Sequence, residues 1–372
     1  MSSKSEAIMR DLLASAGVGT DGAQPWDMHV HDPRAYKRML SEGIMGFGES
    51  YMDGWWDSER LDECVFKLIR GDLEEKLKKD WKIVLHVAGA KLLNLQSTRR
   101  AFEIAEKHYD VGNDLYRAML DSRMVYTCAY WKDAQTLDEA QEAKLELVCE
   151  KIGLEPGMRV LDLGCGWGSF AKYAAEKYGA EVTGVTVSKE QVALGTEMCR
   201  GLPVTLELMD YRKVSGRYDA VVSIGMLEHV GYKNYRTFME TVHRCLEDDG
   251  IGFIHAIGSN NDVTIGNSWF HKYIFPNAMN PSIGQIGRAM DHLFVMEDWH
   301  NFGPDYDPTV MAWHHNFEKA WPDLKHAYDE RFYRMWRFYL LSSAASSRSR
   351  RTQLWHIVMS KKGRTQPDCR LT

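Results

Sequence analysis

Val160-Leu161-Asp162-Leu163-Gly164-Cys165-Gly166-Trp167-Gly168 is the stretch that decides the fold. An apolar run with the character of a buried strand meets three glycines at alternate positions. Ser169–Tyr178 then repeats apolar residues at helical spacing. Glycines at such a junction allow tight bends and let a ligand approach main-chain N–H groups. A dinucleotide loop would carry its third glycine where Ser169 stands, and an acidic residue at the end of the next strand. That strand ends instead in Thr186-Val187-Ser188. No lysine of the phosphate-cradling type follows the loop either.

Outward from this turn, short apolar runs alternate with amphipathic ones. Arg159–Leu163, Glu181–Val187, Val204–Met209, Ala220–Ile224 and Gly252–Ile257 read as strands. Ser169–Tyr178, Lys189–Cys199 and Tyr235–Leu246 read as the helices between them. The alternation predicts an α/β fold, a doubly wound Rossmann-like sheet whose ligand sits beyond the carboxyl ends of the strands. Residues 258–305, rich in Asn, Gly, Pro and aromatics, break the alternation and read as an inserted cap. Arg331–Leu341 reads as a helix and Gln353–Ser360 as a last strand. The first hundred residues show helical periodicity, with Asp32-Pro33 as a helix start and Leu61, Val65 and Leu68 on one face. Lys91–Arg100 reads as a linker, so two domains are expected: a small, mostly helical 1–95 and a catalytic 96–372.

Composition sets the outer bounds. In 372 residues, 44% hydrophobic and 26% charged, there is enough chain for a real core, which excludes disordered and fibrous classes. No apolar run reaches the ~20 residues of a spanning helix, and the first residues lack the apolar core of a signal peptide. Seven scattered cysteines without a CxxC pair fit a reducing cytoplasm and point to no metal site. The net charge of -6 hides two basic blocks. Lys67–Arg100 holds nine basic and four acidic residues, and Arg331–Arg364 nine basic and none acidic. Such blocks suggest an anionic partner surface or, more plainly, solvated helix faces.

The D-x-G-x-G-x-G pattern resembles the first motif of S-adenosylmethionine (SAM)-dependent methyltransferases. On that reading Thr186, Ser188 and Gln191 bind the sugar hydroxyls, and Asp210 accepts from the adenine amino group. Glu228 and His255 stand at the ends of the fourth and fifth strands and face the same crevice.

Larger motifs extend the likeness. HYDVGND, YTCAYW, VLDLGCGWGSF, GVTVSKEQ, SIGMLEHVG, FIHAIGS and MEDWHNFGPDYDPTVMAW, with GESYMDGWW and LLNLQSTRR before them, resemble the bacterial cyclopropane-fatty-acyl-phospholipid synthases over nearly the whole chain. The resemblance implies methylene transfer from SAM to a cis double bond of a phospholipid acyl chain. The alkene attacks the sulfonium methyl, and the new methyl loses a proton as the ring closes. This chemistry needs a base beside a cation and a pocket that excludes water. The family's base is a bicarbonate ion, whose ligands fall here on Cys128, Glu228, His255, the main chain of Ile257, and Tyr306. Glu228 either accepts the bicarbonate proton or orients His255. SAM falls among Tyr126, Thr127, Asp162, Gly164, Gly166, Thr186, Ser188, Gln191, Asp210 and Tyr211.

Tyr130, Trp131, Trp269, Phe270 and Tyr273 are candidates to line the acyl channel or to stabilise the cation. Two departures stand out. The family's YSC reads Tyr126-Thr127-Cys128, and a late-helix cysteine of some relatives is replaced within Leu341-Ser342-Ser343-Ala344. The resemblance further implies a homodimer, cytoplasmic and peripheral on the inner face of the membrane, with the basic blocks on anionic lipid and no nucleic-acid partner. Two other readings stay open: a SAM-dependent C- or N-methyltransferase of another lipid-like substrate, and a non-catalytic lipid-binding protein at the membrane surface.

Overall fold

Val160, Leu161 and Leu163 are fully buried, because the strand that carries them has protein on both faces. The computed structural model describes residues 4–73, 112–264 and 266–371, which form two compact units. One holds 112–264, Asn277–Asp305 and 352–371; the other holds 4–73, 266–276 and Tyr306–Arg351. The boundary expected near residue 95 and the linker Lys91–Arg100 lie outside the described residues.

The first unit is built on a seven-stranded sheet: β1 (Arg159–Leu163), β2 (Glu181–Thr186), β3 (Val204–Leu208), β4 (Tyr218–Ile224), β5 (Leu246–Ser259), β6 (Val295–Asn301) and β7 (Thr352–Ser360). Their order is β3-β2-β1-β4-β5-β7-β6. β1 to β5 are parallel, and β7 runs antiparallel to both neighbours. The strand order reverses between β1 and β4, which opens a crevice at their carboxyl ends. Alternate side chains feed two cores. Leu161, Leu163 and Ile254 pack with helix Tyr235–Cys245 on one face. Val160, Phe253 and Val358 pack with helices Leu137–Lys151 and Ser169–Tyr178 on the other. The doubly wound sheet expected from the sequence is therefore present. The stretch 258–305 divides: residues 266–276 cluster with the other unit, whereas Asn277–Asp305 stays with the sheet and supplies its edge strand β6.

The other unit is mainly helical. Helix Arg34–Glu42 begins one residue later than the Asp32-Pro33 reading, with Asp32 Oδ1 accepting from Arg34 N at 2.9 Å. Helix Glu330–Arg348 packs on helices Ile44–Met52, Leu61–Arg70 and Tyr306–Leu324. Its arginines are engaged there. Arg331 pairs with Asp53 at 3.0 Å and Arg334 with Asp57 at 2.7 Å, and Arg337 donates to the Tyr51 hydroxyl at 2.5 Å. Arg348 bridges Asp62 and Asp307, both at 2.8 Å, and reaches Glu63 at 3.2 Å. Arg337 also meets Glu318 at 3.4 Å, so the charge of all four residues is balanced by carboxylates of their own unit. Most of the earlier basic block lies outside the described residues. No helix among the described residues is long and apolar enough to cross a membrane.

Arg348→Gln should therefore act on stability. Asp62 is buried and would lose a charged partner, a change that costs on the order of 1–3 kcal/mol. We expect a fall in Tm of about 2–4 °C per kcal/mol, read by differential scanning calorimetry, and unchanged sedimentation with anionic vesicles. Weakened sedimentation with an unchanged Tm would contradict this structural role and point to lipid contact.

Candidate active site

The glycine turn is held in place from two sides. Gly164 N and Cys165 N both donate to Val185 O at the end of β2, at 2.9 and 3.1 Å. Gly164, Gly166 and Gly168 have φ of 80°, 55° and 80°, which L side chains rarely adopt. A Cβ on Gly164 would lie 2.8 Å from the Met226 side chain, so the turn presses against the loop after β4. A Cβ on Gly166 would meet nothing within 4 Å. Backbone is thus exposed to an open cradle, as a ligand at a helix N-terminus requires. Beneath the turn Asp162 is buried, with Oδ1 unpartnered. Burial pushes its carboxyl up to about 7, against the pull of Lys144. An orphaned polar atom beside exposed backbone fits a bound polar cofactor.

Most of the other expected cofactor residues gather at and just beyond the carboxyl ends of β2 and β3. Ser188 caps helix Lys189–Met198 by accepting from Gln191 N at 3.3 Å, and Thr186 Oγ1 lies 2.7 Å from Gln191 Oε1. Asp210 is buried and already accepts from Arg212 Nε at 2.8 Å. Tyr211 turns into the core against Phe238, ring centroids 5.6 Å apart, and its hydroxyl has no partner. A Cβ on Gly225 would come within 2.5 Å of Thr127 Cγ2, which brings the Tyr126–Cys128 segment to the same end of β4. Tyr126 rests edge-on against Tyr116 at 5.1 Å.

The residues expected to carry the chemistry occupy the ends of β4 and β5. His255 lies opposite Ile224 in the parallel register, and its carbonyl accepts from Gly225 N at 2.9 Å. Glu228, on the short helix Leu227–Val230, accepts from Ile257 N with Oε1 at 2.6 Å. Its Oε2 is buried and unpartnered. Burial pushes this carboxyl up to about 7, while the Ile257 N–H pulls it down. The Ile257 N–H expected to meet an anion thus meets Glu228. His255 is oriented by His356 on β7, Nδ1 to Nε2 3.0 Å, and not by Glu228. Burial holds both imidazoles well below their ordinary pKa, so both are neutral near pH 7. Cys128 is fully buried and its thiol lies 3.2 Å from Ala129 O. Tyr306 opens helix Tyr306–Leu324 in the other unit, edge-on to Trp313 at 6.0 Å. Residues 108–111 of the HYDVGND motif lie outside the described residues.

Three residues escaped the sequence reading. Lys144 and Gln141, both fully buried on helix Leu137–Lys151, donate to Thr127: Lys144 Nζ to Oγ1 at 3.0 Å and Gln141 Nε2 to the carbonyl at 2.8 Å. Burial lowers the Lys144 ammonium to about 8, although Asp121, Cys128 and Asp162 favour its charge. His356 is the third. Neither helix periodicity nor a local motif marks any of them. Of the expected aromatics, Tyr130 sits edge-on to Phe302 at 5.4 Å, and Trp269 is fully buried against Phe338 at 4.7 Å within the helical unit. A separate cavity of about 430 Å³ opens at the amino ends of β1, β4 and β5, beside Lys151, Met158, Asp219 and Arg364. It holds none of the residues above.

Residues 96–357 match the family described as mycolic acid cyclopropane synthetase. The chain is 50% identical to the cyclopropane-fatty-acyl-phospholipid synthase of Escherichia coli (strain K12), covering 95% of this chain and 93% of that protein. It is 32% identical to a tuberculostearic acid methyltransferase of Mycobacterium tuberculosis, over 95% of this chain and 88% of that one. Among solved structures, a mycolic acid cyclopropane synthase complexed with SAH and CTAB superposes with a TM-score of 0.66 at 29% identity, covering 70% of this chain and 98% of the other.

Glu228 makes stability depend on pH. Its folded pKa, about 7, lies above the ordinary 4.5. Below 4.5 the carboxyl is protonated folded or unfolded; as pH rises through 7 the folded state must bury a charge and loses stability. Glu228→Gln keeps an acceptor for Ile257 N–H and removes that charge. Its Tm should exceed the parent's at pH 8, with the gap closing toward pH 5. A gap that stays constant across this range would contradict the assignment.

Proposed function

This chain belongs to the mycolic acid cyclopropane synthetase family, and from that premise we propose that it forms cyclopropane rings on unsaturated phospholipid acyl chains, with SAM as methylene donor and bicarbonate as general base. The observation that carries the proposal is the contact of Gly164 with Met226. It sets the open glycine cradle beside the loop that leads to Glu228, so donor and acid–base groups can share one crevice.

When bound, SAM supplies an electrophilic methyl and bicarbonate a proton acceptor that stays anionic beside a cation. The protein's part is to bind, orient and keep dry. Gly166 offers its main-chain N–H to the cofactor, while the Gly164 N–H, bonded to Val185 O, fixes the turn, and Asp162 offers its unpartnered oxygen. Thr186, Ser188 and Gln191 form a polar cluster suited to sugar hydroxyls, with Asp210 beyond them. For the anion we assign Glu228 Oε2, His255 and the Cys128 thiol, with Tyr306 added by the resemblance alone. Ile257 N–H acts indirectly, by holding Glu228. With its pKa near 7, Glu228 can accept a hydrogen bond when ionised or donate one when protonated. Full burial of Cys128, Glu228 and His255 serves the exclusion of water that a carbocation demands. We further propose that the protein works as a homodimer, peripheral on the cytoplasmic face of the membrane.

A second reading has support in the tuberculostearic acid methyltransferase relative: methyl transfer that leaves a branch in place of a ring. Incubation with SAM and vesicles of unsaturated phospholipid, followed by mass spectrometry of the acyl methyl esters, separates the two. We expect a gain of one CH2 and products that resist hydrogenation as an alkene. Removal of bicarbonate should lower the rate and its return restore it. His255→Ala should lower kcat about 100-fold or more. Products that gain carbon but still take up hydrogen as alkenes would favour the branching reading.

A further inference from the structure

His255 and His356 face each other directly across the antiparallel β5–β7 pair. Both are buried, and among the described residues the one hydrogen bond of each ring is that between His255 Nδ1 and His356 Nε2, 3.0 Å long. A bond between two neutral imidazoles needs one N–H and one lone pair, which leaves two arrangements. In the first, His255 Nδ1 donates. His356 must then carry its proton on Nδ1, and His255 Nε2 is left bare, as a base. In the second, His356 Nε2 donates. His356 Nδ1 is then bare, and His255 Nε2 carries a hydrogen.

The surroundings of His356 choose between them. Its Nδ1 is buried without a partner. The ring is flanked edge-to-face by Phe253 at 4.8 Å and Phe302 at 4.6 Å. An orphaned buried N–H is rarer in proteins than an orphaned acceptor, because the lost hydration of a strong donor goes uncompensated. The charged and titratable groups that bear on His356 are Lys151, Lys144, His300 and His255. The two lysines oppose a second proton on the pair.

We propose that His356 is a positioning residue that holds His255 in its Nε2–H tautomer, so that His255 presents a hydrogen-bond donor, and not a base, to an oxyanion of the carbonate class. This inference rests on the reading that His255 faces the reacting groups. It sharpens that reading by excluding His255 as the acceptor of the substrate proton in the resting enzyme. The register explains why the partner must be histidine or a residue of similar reach: the β5–β7 pairing sets Nε2, not Nδ1, against His255.

Long-range 1H–15N correlation spectra of the full chain, labelled at histidine nitrogen and without added ligand, read the tautomers directly. Loss of the signals in His255→Gln and His356→Gln assigns them. The expected result is a protonated Nε2 and a bare Nδ1 on both rings. A protonated Nδ1 on His255 overturns the proposal, whatever the activity. In assays, His356→Phe should raise the bicarbonate concentration for half-maximal rate about tenfold, with kcat at saturating bicarbonate changed less than threefold, and His356→Gln should restore the parent value. Equal loss in both variants also overturns it. Should the parent make no cyclopropane product, the functional reading fails while the spectra still decide the tautomer.

Discussion

The bond from Ile257 N–H to Glu228 Oε1, 2.6 Å long, ties the end of β5 to the loop after β4. Much of the site depends on this constraint. A backbone donor fixes one oxygen of a buried carboxylate and leaves the other unpartnered. The same loop carries Met226 against Gly164 and Gly225 against Thr127. One short segment, Gly225–Glu228, therefore holds together the glycine turn, the Tyr126–Cys128 strip and the end of β5. A buried carboxylate with half its valence open is costly unless something completes it, and such groups concentrate at functional sites.

Behind that first layer lies a second that is also polar and also buried. Lys144 and Gln141 hold Thr127, and His356 holds His255. These contacts span helix Leu137–Lys151, the segment before it, and strands β5 and β7, so the site is braced from the face of the sheet that carries Phe253 and Val358. In the helical unit the same chemistry serves packing. Arg331, Arg334 and Arg348 meet Asp53, Asp57, Asp62 and Asp307. Four of the nine positive charges in the Arg331–Arg364 run, Arg331, Arg334, Arg337 and Arg348, are counter-charges to carboxylates of the helical unit.

The sequence read well where one period dominates. β1 and the helix Ser169–Tyr178 match their expected limits, because an unbroken apolar run and a 3.6-residue repeat leave little choice. β5 is longer than expected, since Leu246–Ile251 opens with the polar Glu247, Asp248 and Asp249 and only pairing reveals it as strand. β6 was absorbed into a presumed cap: as an edge strand it reads Val-Met-Glu-Asp-Trp-His-Asn, with no apolar alternation to betray it. Glu228 and His255 were marked as candidates by their place at strand ends, and Cys128 and Ile257 only by the family resemblance. His356 was not, because its partner is 101 residues away and a lone histidine in an apolar strand carries no local signal. The pairing of the late basic block was not legible for a related reason: sequence counts charges but does not say which carboxylates lie opposite them.

The central claim is that the glycine turn and the Glu228–His255 strand ends face one crevice that holds the methyl donor. A crystal structure of the full chain with S-adenosylhomocysteine tests it most directly. The account predicts ligand density over Gly166, its sulfur on the side of Glu228 and His255. Density instead in the cavity beside Lys151, Asp219 and Arg364, at the opposite end of the sheet, would contradict it.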